Sequence, residues 1–201
     1  MKYIQSISIL SLAIGMAISS FHATNLNANA EDMNVREVEA LLSERMDGMN
    51  SVQVHGLTTH LFKLCRKYGF SVSSVLSLIA TESSFDKDAT SSVGAVGLMQ
   101  IMPKTAGFIA KKEGIRTYHH AQDLHNPTVN LSVGIAYLSY LRGKYTKSHS
   151  YLAAYNMGPT KFNRMSRKHK PNPASVKRYV KNIHSGVYQI RREAQELAYA
   201  N

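Results

Sequence analysis

One glutamate, Glu82, stands out because it continues the apolar face of a predicted helix. Val75, Leu76 and Ile79 precede it at helical spacing, which places the carboxyl on the side that should face the core. Burial makes a carboxylate costly as an anion, so we expect its pKa to rise and the group to hold a proton near neutral pH. Such a carboxyl can serve as a general acid, for example one that protonates a glycosidic oxygen.

A second carboxyl that could assist Glu82 is hard to find in the sequence. Conventional glycosidases use two carboxyls, about 5–5.5 Å or about 6.5–9.5 Å apart. Asp86 lies beyond the predicted helix end and Asp88 lies in the following loop, so we expect both to form local turn bonds or to be solvated. A mechanism in which the substrate supplies its own nucleophile is therefore favoured.

The elements that must position Glu82 are nearly all predicted to be helices, so the fold class is all-α. Apolar periodicity and capping residues predict helices at about 35–46, 54–68, 72–84, 103–112, 127–141, 151–155 and from 174 onward. Loops are expected at 49–54, 118–124 and 164–170. Glycines predict turns within 91–101, with room for one short hairpin.

Three successive motifs resemble those of bacterial lytic transglycosylases of the soluble, goose-type-lysozyme-like kind. They are Glu82-Ser83, the run Gly97-Leu-Met-Gln100 with Pro103 and Thr105-Ala106, and Ala154-Tyr-Asn156 followed by Gly158. The likeness covers about residues 57–183 and implies a lysozyme-like helical catalytic domain. It also implies cleavage of the β-1,4 bond between N-acetylmuramic acid and N-acetylglucosamine in peptidoglycan, with a 1,6-anhydromuramic end as the product.

The resemblance implies roles close to the reacting bond for three residues. Glu82 would protonate the leaving oxygen and then, as a carboxylate, accept the proton of the muramic acid 6-hydroxyl. Tyr155 matches a tyrosine that approaches the reacting centre, and Tyr179 matches a late tyrosine beside the acid. One departure is the segment before Tyr179, where family members often carry Glu-Thr and this chain has Ser175-Val176. A supporting carboxylate from that segment is therefore missing.

Four further residues match family positions that form the sugar-binding pocket. Ser91, Gln100 and Met102 correspond to positions that line sugar subsites, and Asn156 corresponds to one that shapes the pocket. Glycines between Ser91 and Gln100 agree with a loop that borders a groove.

Cysteine and metal chemistry are not favoured. Cys65 lies in a helical segment without the signature of a cysteine enzyme, and a single thiol cannot form an internal disulfide. His119, His120 and His125 fit no familiar zinc spacing. We therefore expect neither a metal nor another cofactor.

Residues 1–30 are typical of a signal peptide, which predicts an exported and periplasmic protein. Lys2 precedes a largely apolar stretch, and Ala28-Asn29-Ala30 fits a cleavage site. An uncleaved membrane anchor is the alternative, although the apolar stretch is short and broken by serines. The remaining chain is predicted to comprise an N-terminal helical extension, 31–55, and a catalytic domain, 56–201.

The net charge of +11 favours an anionic partner such as the cell wall or a membrane surface. Export and the lack of basic–aromatic strands argue against nucleic acid. The expected partner is the peptidoglycan strand, and the resemblance leaves open an association with a secretion or conjugation machine.

Two alternatives remain open beside a lytic transglycosylase. The first is a lysozyme-like hydrolase on the same fold, which would deliver water instead of the 6-hydroxyl. The second is an inactive wall-binding or assembly protein, in which loss of the Glu82 carboxyl would have no consequence.

Overall fold

The computed structural model describes residues 32–200, and the predicted signal peptide, residues 1–30, lies outside this range. The described chain forms eight α-helices and one short 3-10 helix at Ala121–His125. The α-helices are α1 Val35–Arg45, α2 Ser51–Tyr68, α3 Val72–Ser83, α4 Pro103–Glu113, α5 Pro127–Lys144, α6 Ser148–Met157, α7 Pro159–Arg167 and α8 Ala174–Tyr199. The prediction of an all-α fold is confirmed.

Helix α3 is a buried helix that packs against α2 and α8. All of residues 72–79 are buried. The N-terminus of α3 is held by Asp32, whose carboxylate accepts hydrogen bonds of 3.2 Å from the first two backbone N–H groups of the helix. A carboxylate there satisfies free N–H groups and interacts favourably with the helix dipole. The helix ends at Ser83 and is followed by Ser84 with φ of +53°, so Glu82 lies in the last turn.

Helices α3 and α8 approach each other closely. A Cβ atom at Gly186 of α8 would lie 2.4 Å from Oγ of Ser77 of α3, so a larger residue would displace the Ser77 hydroxyl or α8 itself. The Ser77 hydroxyl donates a hydrogen bond of 2.7 Å to the carbonyl oxygen of Ile183. The contact fixes the position of α8, which carries Tyr179, relative to α3, which carries Glu82.

The loop between α3 and α4 is held against the core by Asn130 of α5. The buried side chain accepts a 2.8 Å hydrogen bond from the backbone N–H of Met99. It also donates hydrogen bonds of 2.9 and 2.8 Å to the carbonyl oxygens of Val96 and Leu124. A hairpin was expected within residues 91–101, and there Val96 forms two isolated antiparallel bridges, one with Thr90 and one with Ile101.

The N-terminal part of the described chain packs on the helical core. Helix α2 starts earlier than predicted because Asn50 and Gln53 form a capping box at its N-terminus. The predicted boundary at residue 55 therefore falls inside a continuous helix. Arg45 at the end of α1 forms a bidentate ion pair with Glu193 of α8, with distances of 2.6 and 2.8 Å.

Helix α7 includes residues 164–167 of the segment 164–170 that was predicted to be a basic loop, so the prediction is wrong for these residues, while 168–170 lie outside the helix. Pro159 stands at the first helical position, where its missing N–H costs nothing. None of the residues of α7 is fully buried, and its only apolar side chains after Pro159 are Phe162 and Met165, so the sequence contains little that indicates a core-facing helix. The helix is anchored by Phe162, whose ring lies 4.9 Å from the ring of Tyr145.

Candidate active site

A cleft of about 390 Å³ opens beside the last turn of α3. The loop after α3, helix α5 and the end of α6 also contribute to its walls. The cleft, which we call the Glu82 cleft, contains six of the seven residues predicted from the sequence: Glu82, Ser91, Gln100, Met102, Tyr155 and Asn156. The seventh, Tyr179, reaches Glu82 from α8 without lining the cleft.

Glu82 is the only acidic residue that lines the cleft in the described part of the chain. Burial raises the pKa of this carboxyl from 4.5 to about 7, as the sequence predicted. A hydrogen bond from Tyr179 opposes the shift, since it stabilises the anion. With a pKa near 7, both protonation states are populated at neutral pH, so the group can act in turn as acid and as base.

Tyr179 donates a hydrogen bond of 2.5 Å from its hydroxyl to Oε1 of Glu82. Burial of the phenol, together with the nearby charge of Glu82, raises the pKa of Tyr179 well above its ordinary value. The hydroxyl therefore stays protonated and remains a donor throughout the neutral range. Because such a bond is stronger to a carboxylate than to a carboxylic acid, it favours the anionic form of Glu82.

Tyr155 lines the cleft, but its hydroxyl bonds to the loop and not to Glu82. It donates a 2.8 Å hydrogen bond to the carbonyl oxygen of Met99, and its ring lies 5.2 Å from the ring of Tyr137. Tyr137 also lines the cleft and was missed in the sequence, because it follows the apolar pattern of α5. The sequence feature that could have pointed to Tyr137 is a tyrosine among the mostly aliphatic buried residues of α5.

Ser91 and Gln100 shape the loop that borders the cleft. The Ser91 hydroxyl accepts a 3.0 Å hydrogen bond from the backbone N–H of Ala95. The Gln100 side chain donates to the carbonyl oxygens of Ala89 and Gly97, at 3.2 and 3.0 Å. These bonds hold Gln100 in a left-handed backbone conformation, with φ of +47°.

Met102 and Asn156 are the exposed members of the predicted set. Met102 is 40 % exposed and precedes the first residue of α4. Asn156 is exposed in the last turn of α6. Both side chains are thus accessible at the rim of the cleft.

The two aspartates that follow Glu82 do not line the cleft. Oδ1 of Asp86 accepts a 2.8 Å hydrogen bond from the backbone N–H of Asp88, and Asp88 forms an ion pair with Lys87. These local bonds agree with the prediction made from the sequence. The described residues therefore provide no second carboxyl at the cleft for a conventional two-carboxyl mechanism.

The cysteine and the histidines considered in the sequence lie elsewhere. Cys65 is fully buried, and burial raises the pKa of its thiol to about 12, which makes it a poor nucleophile. The backbone N–H groups of His119 and His120 donate to the carboxylate of Asp123, at 2.6 and 2.9 Å. These groups organise the turn before the 3-10 helix.

The chain belongs to the Transglycosylase SLT domain family, whose sequence profile matches residues 60–180. It is 37% identical over 105 residues to membrane-bound lytic murein transglycosylase C of Histophilus somni, covering 48% of this chain and 29% of that protein. It is 30% identical over 156 residues to the protein of the same name from Actinobacillus pleuropneumoniae, covering 71% and 43%. The chain thus spans less than half the length of these curated relatives.

Two solved structures are similar in both fold and sequence. One is an inactive variant of lytic transglycosylase Slt from Pseudomonas aeruginosa in which a glutamate is replaced by glutamine. Its TM-score is 0.60 at 29% identity, with 67% of this chain and 24% of that chain covered. The other is the 70 kDa soluble lytic transglycosylase of Escherichia coli, with a TM-score of 0.57, 26% identity and coverages of 71% and 27%. The predicted family and lysozyme-like helical fold are therefore confirmed.

Between residues 32 and 200, the helices are too short or too polar to span a membrane.

Proposed function

We propose that this protein is a peptidoglycan lytic transglycosylase with Glu82 as its only acid and base. It cleaves the β-1,4 bond between N-acetylmuramic acid and N-acetylglucosamine without water and leaves a 1,6-anhydro end. The observation that carries the proposal is one carboxyl at the cleft, with a pKa near 7 and no acidic partner there among the described residues. The names of the relatives and the inactive glutamine variant of a solved relative support the same chemistry.

In the first step, protonated Glu82 donates its proton to the glycosidic oxygen. The bond between C1 of the muramic acid and this oxygen breaks, and positive charge develops at C1. The N-acetyl group of the sugar stabilises this charge, so no protein nucleophile is required. The hydroxyl of Tyr179 stabilises the carboxylate that proton donation leaves on Glu82.

In the second step, the carboxylate of Glu82 acts as the base. It accepts the proton of the 6-hydroxyl of the muramic acid while this oxygen forms a bond with C1. The 1,6-anhydro ring closes, the proton returns to Glu82, and no water is consumed. The six residues Ser91, Gln100, Met102, Tyr155, Asn156 and Tyr179 bind the strand or position the acid.

The proposal is tested with the Glu82→Gln variant on purified peptidoglycan. We expect the release of soluble glycan to fall by roughly a hundredfold or more, the usual contribution of general acid–base catalysis. Asp86→Asn removes a carboxyl four residues away that does not line the cleft, and it should leave the rate within a factor of about two. Equal release by native protein and Glu82→Gln would overturn the proposal, as would native protein that binds the wall and releases nothing.

We further propose that the protein acts in the periplasm after export. The N-terminal segment 1–30 and the net charge of +11 support this location. Fractionation of cells that express the full chain, with N-terminal sequencing of the mature protein, tests it. Recovery of the uncleaved chain from the cytoplasm would contradict it.

A further inference from the structure

Charge is distributed very unevenly along the chain. Between Asp123 and Glu193 the sequence contains thirteen lysines and arginines and no acidic residue. Since this segment carries +13 and the whole chain carries +11, the rest of the chain has a net charge of −2. The basic segment includes α5, α6, α7 and most of α8. A strong attraction to an anionic partner must therefore come from this part of the molecule.

The solvent side of α8 carries a regular stripe of this charge. Five residues recur at steps of four and three and form one stripe, which we call the outer face of α8: Lys177, Lys181, His184, Tyr188 and Arg191. The stripe is about 21 Å long. Tyr179 and Ile183 are buried and lie on the opposite side of the helix, so the outer face is directed away from Glu82.

The cations of the outer face have no anionic partner within the described part of the molecule. Lys177, Lys181 and Arg191 are exposed, and none of them forms an ion pair with an acidic residue in the range 32–200. Like charges repel each other, and an external anionic surface relieves this repulsion.

A cavity of about 570 Å³ opens between the first half of α8 and the first turn of α6. We call it the basic cavity. Lys177, Lys181 and His184 of the outer face line it together with His149 of α6. The cavity therefore surrounds a volume suited to one small anionic group with two lysines.

His184 gives an independent indication of a ligand in the basic cavity. Its Nε2 atom is buried and has no hydrogen-bond partner among the described residues. Burial and, next, the proximity of His149 lower the pKa of His184, so the ring is uncharged at neutral pH and carries one N–H, which Nε2 can supply. A buried polar atom without a partner is unfavourable, and an acceptor oxygen of a phosphate group would satisfy it.

The shape of the outer face selects among anionic partners. The surface of a helix is convex, so it does not enclose a single extended polymer, whereas a flat array of anionic groups can contact the whole stripe at once. Tyr188 is 71 % exposed within the stripe, and tyrosines are enriched where a membrane meets water. A basic helix face with an exposed aromatic ring is typical of binding at the surface of an anionic membrane.

We propose that the outer face of α8 docks on the surface of an anionic phospholipid bilayer. Lys177, Lys181 and Arg191 bind headgroup phosphates, one of which occupies the basic cavity and accepts a hydrogen bond from His184. Tyr188 lies at the level of the headgroups. No residue of the outer face lines the Glu82 cleft, so the protein can bind a membrane and a glycan strand together. The inference goes beyond the proposed function and does not require it.

Co-sedimentation with lipid vesicles tests the docking independently of catalysis. Protein purified from cells that express the full chain is mixed with vesicles of phosphatidylethanolamine and phosphatidylglycerol, in a ratio of about seven to three, or of uncharged phosphatidylcholine. Each contacting lysine or arginine adds roughly fivefold to the partition coefficient, so we expect about a hundredfold or greater preference for the anionic vesicles. Salt at about 1 M should abolish this preference, because the Debye length falls to about 3 Å. Equal binding to both kinds of vesicle would overturn the proposal.

A pair of double variants tests whether the outer face is responsible. Lys177→Gln/Lys181→Gln should lower the partition coefficient on anionic vesicles about thirtyfold, since two contacting cations are lost. The matched control Lys63→Gln/Arg66→Gln removes two exposed cations of α2, outside the basic segment, and changes the net charge equally. It should change partitioning by less than about twofold, because charges beyond a Debye length are screened. Equal losses in the two double variants would contradict the assignment.

Two further measurements identify the source of the anionic groups. Inorganic phosphate at the concentration of the lipid phosphate should not displace the protein from anionic vesicles. Displacement would indicate a site for a single phosphate ion and would overturn docking on a bilayer. Binding to insoluble peptidoglycan should be the same for Lys177→Gln/Lys181→Gln and the native protein. A loss there as large as the loss on vesicles would assign the face to the cell wall and contradict the proposal.

Cleavage assays separate the docking from the proposed function. Glu82→Gln should bind anionic vesicles as the native protein does, and Lys177→Gln/Lys181→Gln should release glycan from purified peptidoglycan at the native rate. A lower rate in the lysine variant would mean that the outer face serves cleavage, which would count against a membrane role. Native protein that binds anionic vesicles as expected and cleaves no peptidoglycan would reject the proposed function and leave the docking supported.

Discussion

The hydroxyl of Tyr179 lies 2.5 Å from Oε1 of Glu82, although 97 residues separate the two in the sequence. Two opposing effects therefore act on the carboxyl. Burial raises its pKa, and the hydrogen bond from Tyr179 lowers it. Because the resulting pKa is about 7, burial is the larger effect, and the tyrosine keeps the acid from becoming too weak to lose its proton.

Removal of the Tyr179 hydroxyl should shift the pH dependence of the reaction. In Tyr179→Phe the anion of Glu82 loses its donor, so the pKa of the carboxyl rises above 7. We expect the alkaline limb of the kcat/KM profile to move to higher pH, and the maximal rate to fall roughly tenfold. The readout is the release of soluble glycan over a series of buffers.

The control for this variant is Tyr188→Phe, on the same helix. Tyr188 is 71 % exposed, so removal of its hydroxyl should leave both the rate and the profile unchanged. An unshifted alkaline limb in Tyr179→Phe would contradict the assigned hydrogen bond.

The raised pKa of Glu82 also predicts how stability depends on pH. The folded chain holds the Glu82 proton up to about pH 7, whereas the unfolded chain releases it near 4.5. The contribution to stability is therefore complete below 4.5 and is lost as the pH rises through 7. Glu82→Gln removes this dependence, so it should gain up to about 3 kcal/mol over the native chain at alkaline pH.

Denaturant titrations of both proteins at about pH 4 and about pH 8.5 measure this difference. The free energies of unfolding of the variant and the native chain should differ least at the lower pH. A gain that is the same at both pH values would mean that Glu82 titrates alike in the folded and unfolded states.

The close contact of α3 and α8 predicts the effect of Gly186→Ala. The new Cβ would lie 2.4 Å from Oγ of Ser77, so either the Ser77 hydroxyl must rotate and lose its hydrogen bond to Ile183, or α8, which carries Tyr179, must shift. We expect a loss of about 1–3 kcal/mol in the free energy of unfolding, as for other overpacked sites, together with reduced activity.

Two further variants test whether the contact between Gly186 and Ser77 causes these losses of stability and activity. Ser77→Ala removes the atom that clashes, so the double variant Ser77→Ala/Gly186→Ala should recover part of the activity. Gly143 has no neighbour within 4 Å of an added Cβ, so Gly143→Ala should be neutral or stabilise by about 0.5–1 kcal/mol. If Gly186→Ala behaves like Gly143→Ala in both assays, the positioning of α8 does not depend on this contact.

Asn130 should be needed for the loop that borders the cleft. Asn130→Ala removes the partner that Asn130 gives to the backbone N–H of Met99 and the carbonyl of Leu124, and one of the two donors to the carbonyl of Val96, which should cost at least about 2 kcal/mol. Because the loop carries Ser91 and Gln100, we also expect a higher KM. Asn163→Ala, at an exposed site, should cost less than about 0.5 kcal/mol. Similar unfolding curves for the two variants would contradict the role of Asn130.

Predictions from the sequence were most successful for features that depend on a local pattern of residues. The apolar spacing of Val75, Leu76 and Ile79 predicted helix α3 and the partial burial of Glu82, because both follow from the helical repeat. The same reasoning missed α7, which is short and mostly polar, and the early start of α2, where the capping box of Asn50 and Gln53 was not recognised. A nine-residue helix whose only apolar side chains after its proline are Phe162 and Met165 is easily taken for a loop.

Contacts between distant segments could not be obtained from pattern alone. The family resemblance suggested that Tyr179 lies beside the acid, but neither the hydrogen bond nor the Gly186–Ser77 contact has a local signature. Asn130 is a polar residue in the apolar sequence of α5, and it is the fully buried anchor of the loop. Tertiary packing, and not helical propensity, gives these residues their roles.

The central claim is that a lone carboxyl, Glu82, breaks the glycosidic bond without the use of water. Digestion of peptidoglycan in water enriched in heavy oxygen, followed by mass spectrometry of the products, tests this most directly. The proposal predicts 1,6-anhydromuramic ends that carry no heavy oxygen. Reducing muramic ends labelled at C1 would identify a hydrolase and contradict it.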